Sequence, residues 1–425
     1  FLLAAGLVAL FQLLRLIVGA DFLSFGLFNS ASSGPFGLLN ELGMFFGLIT
    51  VLSLVSSVGI RLRGWTRLLI FLPLVVSLLF LIVTNVKIVW WGVGITALGA
   101  FVYSVMQSQF QRDPASVRAD DSGVGMFSSL AVLALSLVFL FGSQGVTSAI
   151  AGWFSVGQLD VRPSWKTTVE ISQSSLSENL VFGAGPQSFQ QVWAEHRPLV
   201  TNQTIAWNTD FASGIGFVPT SVISTGLFGL LAWMTFFGVF LYTGVRTLLF
   251  GGVGESVSFY LSLSSFLGAL YLWIITVLSS PNATLIFFAF LITGIFIASL
   301  RHRPQALEEV SVSFIDRPRL GFVSVLLLTL LVLGSVASLF SIGERYAAAV
   351  QFQTAVQTAN RSGDPVAALE TVSGAIALNE QARFYSFGSV LELARIQQLL
   401  AQSAEPTDAD RVQFPALLGS AIRSA

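Results

Sequence analysis

Residues able to do chemistry gather in one stretch of this 425-residue chain, where Arg162, Lys166, His196, Arg197 and Asp210 stand around the turn Gly183-Ala184-Gly185-Pro186. Arginine grips phosphate oxygens with a planar fork that keeps its charge. Histidine or a carboxylate accepts a proton when its pKa suits the step. The Gly-x-Gly turn has two readings. Glycine supplies positive φ for a tight turn into a helix opened by Pro186, or the turn exposes backbone N–H groups to a phosphate. His196 also has a plain reading as a surface residue at a helix end, because Pro198 disfavours helix at Arg197.

The elements that must position these residues are set by composition. Hydrophobic residues make up 54% of the chain and charged residues 10%, with 38 Phe and a mean hydropathy of +0.79. Soluble domains carry roughly a quarter charged residues, so the sequence predicts an all-α, polytopic membrane protein. A net charge of −1 speaks against a nucleic-acid partner. Without cysteine there are no disulfides, thiolate metal sites or cysteine nucleophiles. The chain opens on Phe1 inside an apolar run, so upstream residues are expected.

Apolar runs of about 20 residues, enough to cross ~30 Å of hydrocarbon, fall at 1–20, 38–59, 67–84, 88–108, 126–148, 218–244, 257–279, 283–300 and 320–342. Arg61, Arg63 and Arg67 share one connection, Arg112 and Arg118 a second, Arg246 a third, and Arg301, Arg303, Arg317 and Arg319 a fourth. These are alternate loops, and Lys/Arg-rich short loops face the cytoplasm. The expected organisation is therefore N-terminal spans in 1–148, an extracytoplasmic loop in 149–217, C-terminal spans in 218–342 and an extracytoplasmic tail in 343–425. The spans are nearly free of ionisable groups, which disfavours an ion-coupled carrier. Arg15 is the exception, either snorkelling to the interface near Asp21 or contacting a substrate.

Within the loop, Trp165, Val169, Leu176 and Leu180 recur with helical spacing, and Lys166 and Glu170 form an i,i+4 pair. An amphipathic helix on the membrane surface follows, with Trp165 at headgroup level. The next span starts near Val218 and points its positive dipole end at the loop among Thr220, Ser221, Ser224 and Thr225. Those residues form either an anion site or a small-residue packing surface. In the tail, Gly363-Asp364-Pro365 marks a helix stop, an N-cap and a first-turn proline between helices of about 18 and 14 residues, with a third helix following. Ala367, Ala368, Ala375 and Ile376 carry the spacing of closely packed helices, which resembles one and a half tetratricopeptide repeats.

Arg162 ahead of Trp165, the run Gly183-Ala184-Gly185-Pro186-Gln187-Ser188-Phe189 and Gly226/Gly229 in "STGLFGLLAW" together resemble the O-antigen ligase and polymerase-like membrane glycosyltransferases, over roughly residues 160–245. The resemblance implies transfer of a saccharide from a polyprenyl diphosphate carrier to an acceptor on the outer face of the cytoplasmic membrane, with no metal or nucleotide cofactor. It implies diphosphate-holding arginines, Arg162 first and Arg197 second, and a histidine that assists acceptor attack; Lys166, Gly183, Gly185, Thr220 and Ser221 are the further candidates for substrate binding. The family's His-Asn pair falls at about Ile215-Gly216, where neither side chain accepts a proton. His196 or Asp210 then serves as base, or the chain is a silent scaffold of the same fold whose tail binds an extracytoplasmic protein partner.

Overall fold

The computed structural model describes residues 2–19, 22–27, 33–34, 36–60, 67–110, 122–142, 162–203, 207–250, 257–300, 318–402, 415 and 418–419. Arg61, Arg63, Arg112, Arg118, Arg301, Arg303, Arg317, Asp21 and the first part of the 149–217 loop lie outside them. The chain divides into two compact units.

The first unit, Phe1–Leu16 with Ser32–Glu309, is a helical bundle. In chain order it holds α1 (Leu2–Val18, whose last turn passes into the second unit), a short antiparallel pair β1 (Ser33–Gly34) and β2 (Gly37–Leu38), α2 (Leu39–Gly59), α3 (Leu68–Thr84), α4 (Lys87–Phe110), α5 (Ser122–Phe141), α6 (Trp165–Glu178), α7 (Phe189–His196), α8 (Phe217–Phe250), α9 (Val257–Leu278) and α10 (Ala283–Ser299). Six helices of the described chain are long and apolar enough to cross a membrane: Leu39–Gly59, Lys87–Met106, Val124–Phe141, Phe217–Thr247, Ser258–Leu278 and Pro318–Arg361. Three shorter apolar helices, Ala4–Arg15, Leu68–Thr84 and Ala283–Ser299, fall on the other expected runs. At 1.5 Å per residue, the 17 residues of Leu68–Thr84 and of Ala283–Ser299 reach about 26 Å, just under a hydrocarbon core.

α2 is central, apolar all round and buried from Leu42 through Val51. Its packing is set by small residues and hydroxyls, as expected where lipid supplies no hydrophobic drive between helices. Tyr271 lies over Gly47, where a Cβ would collide with its ring, and donates its hydroxyl to Met44 O at 2.8 Å. Cross-helix bonds join Thr50 to Ser77 at 2.8 Å, Ser56 to Tyr260 at 2.7 Å, Ser262 to Ser299 at 2.8 Å and Trp273 Nε1 to Thr293 at 2.9 Å. An aromatic stack of Trp233, Phe236, Phe237, Phe240, Phe266, Trp273 and Phe296 locks α8 onto α9 and α10.

Arg15 corrects the snorkelling reading. It is 2% exposed, donates from Nη1 to Ser33 O at 2.6 Å and stacks over Phe11. The guanidinium pins the β1–β2 hairpin, a small irregular element with no periodic signal in the sequence.

The second unit, Ile17–Ala31 with Val310–Ala425, holds α11 (Pro318–Ser362), α12 (Pro365–Leu378) and α13 (Ala382–Gln402). No boundary falls at 343. α11 runs for 45 residues, because the stretch after Gly343 is built of strong helix formers and contains no proline. Its apolar half is exposed within the unit, from Leu320 to Ile342. Its polar half packs on α12 through Ala348, Ala355, Ala368 and Ala375, with Phe384 completing the contact. The capping prediction holds: Gly363 has φ +62°, and Asp364 accepts from the amides of Val366 at 2.9 Å and Ala367 at 3.3 Å above Pro365.

Candidate functional site

The described part of the loop folds around its own core of Ile171, Phe189, Val192, Trp193, Phe211 and Ile223, with Trp193 edge-on to Phe211 at 4.8 Å. α6 turns its Thr168, Ile171 and Ser175 face to this core and leaves Trp165 and Val169 exposed. Ser164 caps it by accepting from Thr167 N at 3.1 Å.

What seats the loop is a break in α8. Gly226 has φ +67° and ψ −156°, a conformation open essentially to glycine alone. The break removes two helical bonds, from the amides of Leu227 and Phe228 to the carbonyls of Ile223 and Ser224. All four groups find partners in the 180–185 turn. Leu227 N donates to Leu180 O at 2.9 Å and Phe228 N to Val181 O at 3.3 Å, while Ala184 N donates to Ile223 O at 3.1 Å and Gly185 N to Ser224 O at 3.0 Å. Gly183, with φ +67°, crosses Gly226 so closely that a Cβ on Gly226 would stand 2.6 Å from Gly183 N. Beyond the break the chain folds back: Trp233 Nε1 donates to Ser221 Oγ at 2.8 Å and its ring meets Phe217 edge-on at 6.3 Å. A straight helix would hold residues 16 apart about 24 Å from one another. α8 is thus two arms, 217–225 and 227–250.

The turn reading of Gly183 and Gly185 is therefore the one the structure favours over a phosphate cradle. Gly183 N donates to Asn179 O at 3.0 Å, so the three amides of the Gly-Ala-Gly run are engaged with backbone carbonyls. Two amides at the start of α8 are occupied in the same way. Phe217 N donates to Ser279 O at 3.0 Å, Pro219 has no N–H, and Thr220 N closes onto Gly216 O at 3.0 Å. Thr220 Oγ1 accepts from Gly214 N at 2.9 Å and donates to Gly216 O, and Ser221 Oγ donates to Val218 O at 2.7 Å. These hydroxyls pack and cap.

Arg162 sits at the same seam, donating from Nη1 to Leu278 O at 3.1 Å. Its cation stands at the negative end of the α9 dipole. Arg197 donates to Trp207 O at 3.2 Å, tying the end of α7 to the strand of chain that carries Asp210. His196 Nε2 lies 3.6 Å from Glu178 Oε1, and its side chain is 23% exposed. Asp210 is exposed beside buried Phe211. Lys166 is 85% exposed and pairs only with Glu170 at 3.9 Å among the described ion pairs. His196 and Arg197 thus end α7, with Arg197 bonded to the segment that carries Asp210, and Arg162, Thr220 and Ser221 lie where α8 begins and α9 ends. Lys166 lies in the first turn of α6, four residues after Arg162.

Ile215 and Gly216 are buried. Ile215 N donates to Thr168 Oγ1 at 3.0 Å, and Gly216 lies against the carbonyls of Thr276 and Val277 with no room for a side chain. Two contributors carry no motif or periodic signal of their own in the sequence: Thr168, which accepts from Ile215 N, and Trp233, which donates to Ser221 Oγ. Among the described residues no group of His, Asp and Glu is placed to hold a metal ion. No protein-family model and no curated protein matches the chain.

Proposed function

We propose that this membrane protein is a glycosyltransferase of the O-antigen ligase and polymerase-like kind, moving a saccharide from a polyprenyl diphosphate carrier to an acceptor on the extracytoplasmic face of the cytoplasmic membrane. One observation carries the reading: a loop with its own core is seated on the ends of two apolar helices, with one arginine at the seam and a histidine, an arginine and an aspartate on its rim. Arginine forks suit a diphosphate arriving at the membrane surface. His196 Nε2 stands 3.6 Å from Glu178 Oε1, which orients the ring, and is the first candidate to take the proton of the acceptor hydroxyl. Asp210 is the second candidate base. Arg67 before α3 and Arg246 near the end of α8 belong to the connections that the positive-inside rule assigns to the cytoplasm.

The test is glycan transfer by reconstituted protein. Losing a charge-assisted contact to phosphate costs about 1.5–3 kcal/mol, so Arg162→Ala and Arg197→Ala are each expected to slow transfer roughly ten- to hundredfold. Arg162→Lys keeps a cation at the α9 terminus without the fork, so it should fold normally and still transfer slowly. Full activity in both alanine variants would end the site assignment.

A second reading has its own observation. The amides of the turn, the hydroxyls of Thr220 and Ser221 and the position at Ile215-Gly216 are all taken up by internal packing. A silent scaffold whose α11–α13 tail binds an extracytoplasmic partner needs nothing more from them.

A further inference from the structure

The break at Gly226 has a consequence for where the loop meets lipid. The arm 227–250 has 24 residues, about 36 Å, and spans a bilayer without help from 217–225. Trp233 packs against Trp273, placing the two rings at one level. Counting up from that level, Gly226 is about 10 Å higher along its arm, and Leu278 at the end of α9 about 7.5 Å higher along its own. The break and the end of α9 therefore lie near one height, the boundary between apolar helix and loop. Phe217 N bonded to Ser279 O at 3.0 Å keeps the first arm at that height as well.

The turn stitched to this break is apolar and bare. Leu180 is 57% exposed, Val181 49% and Phe182 69%, and they adjoin Phe228 at 70% and Leu231 at 54% on the spanning arm. A soluble loop has no reason to display three consecutive large apolar residues. Here the carbonyls of Leu180 and Val181 already accept from amides of the helix, and Phe182 N donates to Asn179 Oδ1 at 3.3 Å, so these groups enter hydrocarbon already bonded. The patch is continuous with the lipid-facing side of α8, and the exposed Trp165 and Val169 of α6 have the same character.

We infer that Leu180-Val181-Phe182 inserts into the leaflet below the 162–217 loop, a shallow re-entrant anchor that fixes the height of the loop over the membrane through the Gly183–Gly226 crossing. The occupant of the patch is lipid acyl chain. Insertion rests on the membrane character of the helices and not on glycosyl transfer.

The test uses single cysteines, introduced into a chain that has none, in the full protein reconstituted into phosphatidylcholine vesicles. Nitroxide labels go on Phe182→Cys, on Leu231→Cys as the spanning reference and on exposed Gln190→Cys of α7 as the aqueous one. Collision with oxygen is compared with collision with a water-soluble nickel chelate. The Phe182 label is expected below the phosphates, with oxygen collisions exceeding nickel collisions several-fold, and the Gln190 label the reverse. A Phe182 label as open to nickel as that at Gln190 overturns insertion, as does one shielded from both reagents, which signifies a protein contact. Either result leaves the transfer assay unaffected, so the two readings fail separately.

Discussion

At Gly226 a single residue decides how a loop is attached to a membrane helix. Any other side chain there meets two penalties, a backbone conformation closed to Cβ-bearing residues and a collision with the 181–183 backbone. Gly226→Ala and Gly183→Ala are expected to destabilise by on the order of 3 kcal/mol, from left-handed strain and loss of stitching hydrogen bonds. Gly185 has φ +97° but nothing within 4 Å of its Cβ position, so Gly185→Ala bears the strain alone, about 1 kcal/mol. Thermal unfolding of the purified variants ranks them: 226 and 183 together well below 185. Equal losses at all three positions would mean that the crossing contributes nothing. Sequence made these glycines visible as a motif, yet not their use. A motif such as Gly183-Ala184-Gly185 states that the backbone is unusual and leaves open whether a ligand or another stretch of chain comes close. Arg15 failed in the same way: its position in an apolar run was legible, while the hairpin carbonyl that holds it belongs to the two-residue strand Ser33–Gly34, which has no pattern of its own.

Helices were the most legible level. Runs of apolar residues predict spans because no other backbone arrangement survives in lipid, and α2, α3, α4, α9 and α10 begin and end within two residues of expectation. The misses have physical causes. α8 reads as one helix because apolar periodicity continues through a break that only a torsion angle reveals. α11 runs past 343 because helix formation does not stop where hydropathy changes. The stop that did hold was the one with cap chemistry, Gly363-Asp364-Pro365. Asp364→Ala removes two accepted amide bonds at the start of α12, worth about 1 kcal/mol. Hydrogen exchange in the intact protein should then quicken roughly fivefold at Val366–Ala368. Unchanged exchange there would show that packing on α11 alone fixes the helix end.

For the molecule as a whole, composition and span pattern define a helical membrane protein, and the bundle of the first unit agrees. The candidate site was legible as a list of residues and only partly as an arrangement. The end of α7 and the 207–211 segment meet because Trp193 packs edge-on against Phe211 and Arg197 donates to Trp207 O, a tertiary event that no local spacing announces. Glycosyl transfer requires that the protein bind a polyprenyl-diphosphate-linked saccharide at this loop. The decisive measurement is native mass spectrometry of the purified protein in detergent with such a donor added. A one-to-one adduct that falls by at least tenfold in Arg162→Lys is the result expected. No adduct in the wild-type protein, or an adduct indifferent to both Arg162→Lys and Arg197→Ala, contradicts the account and leaves the scaffold reading.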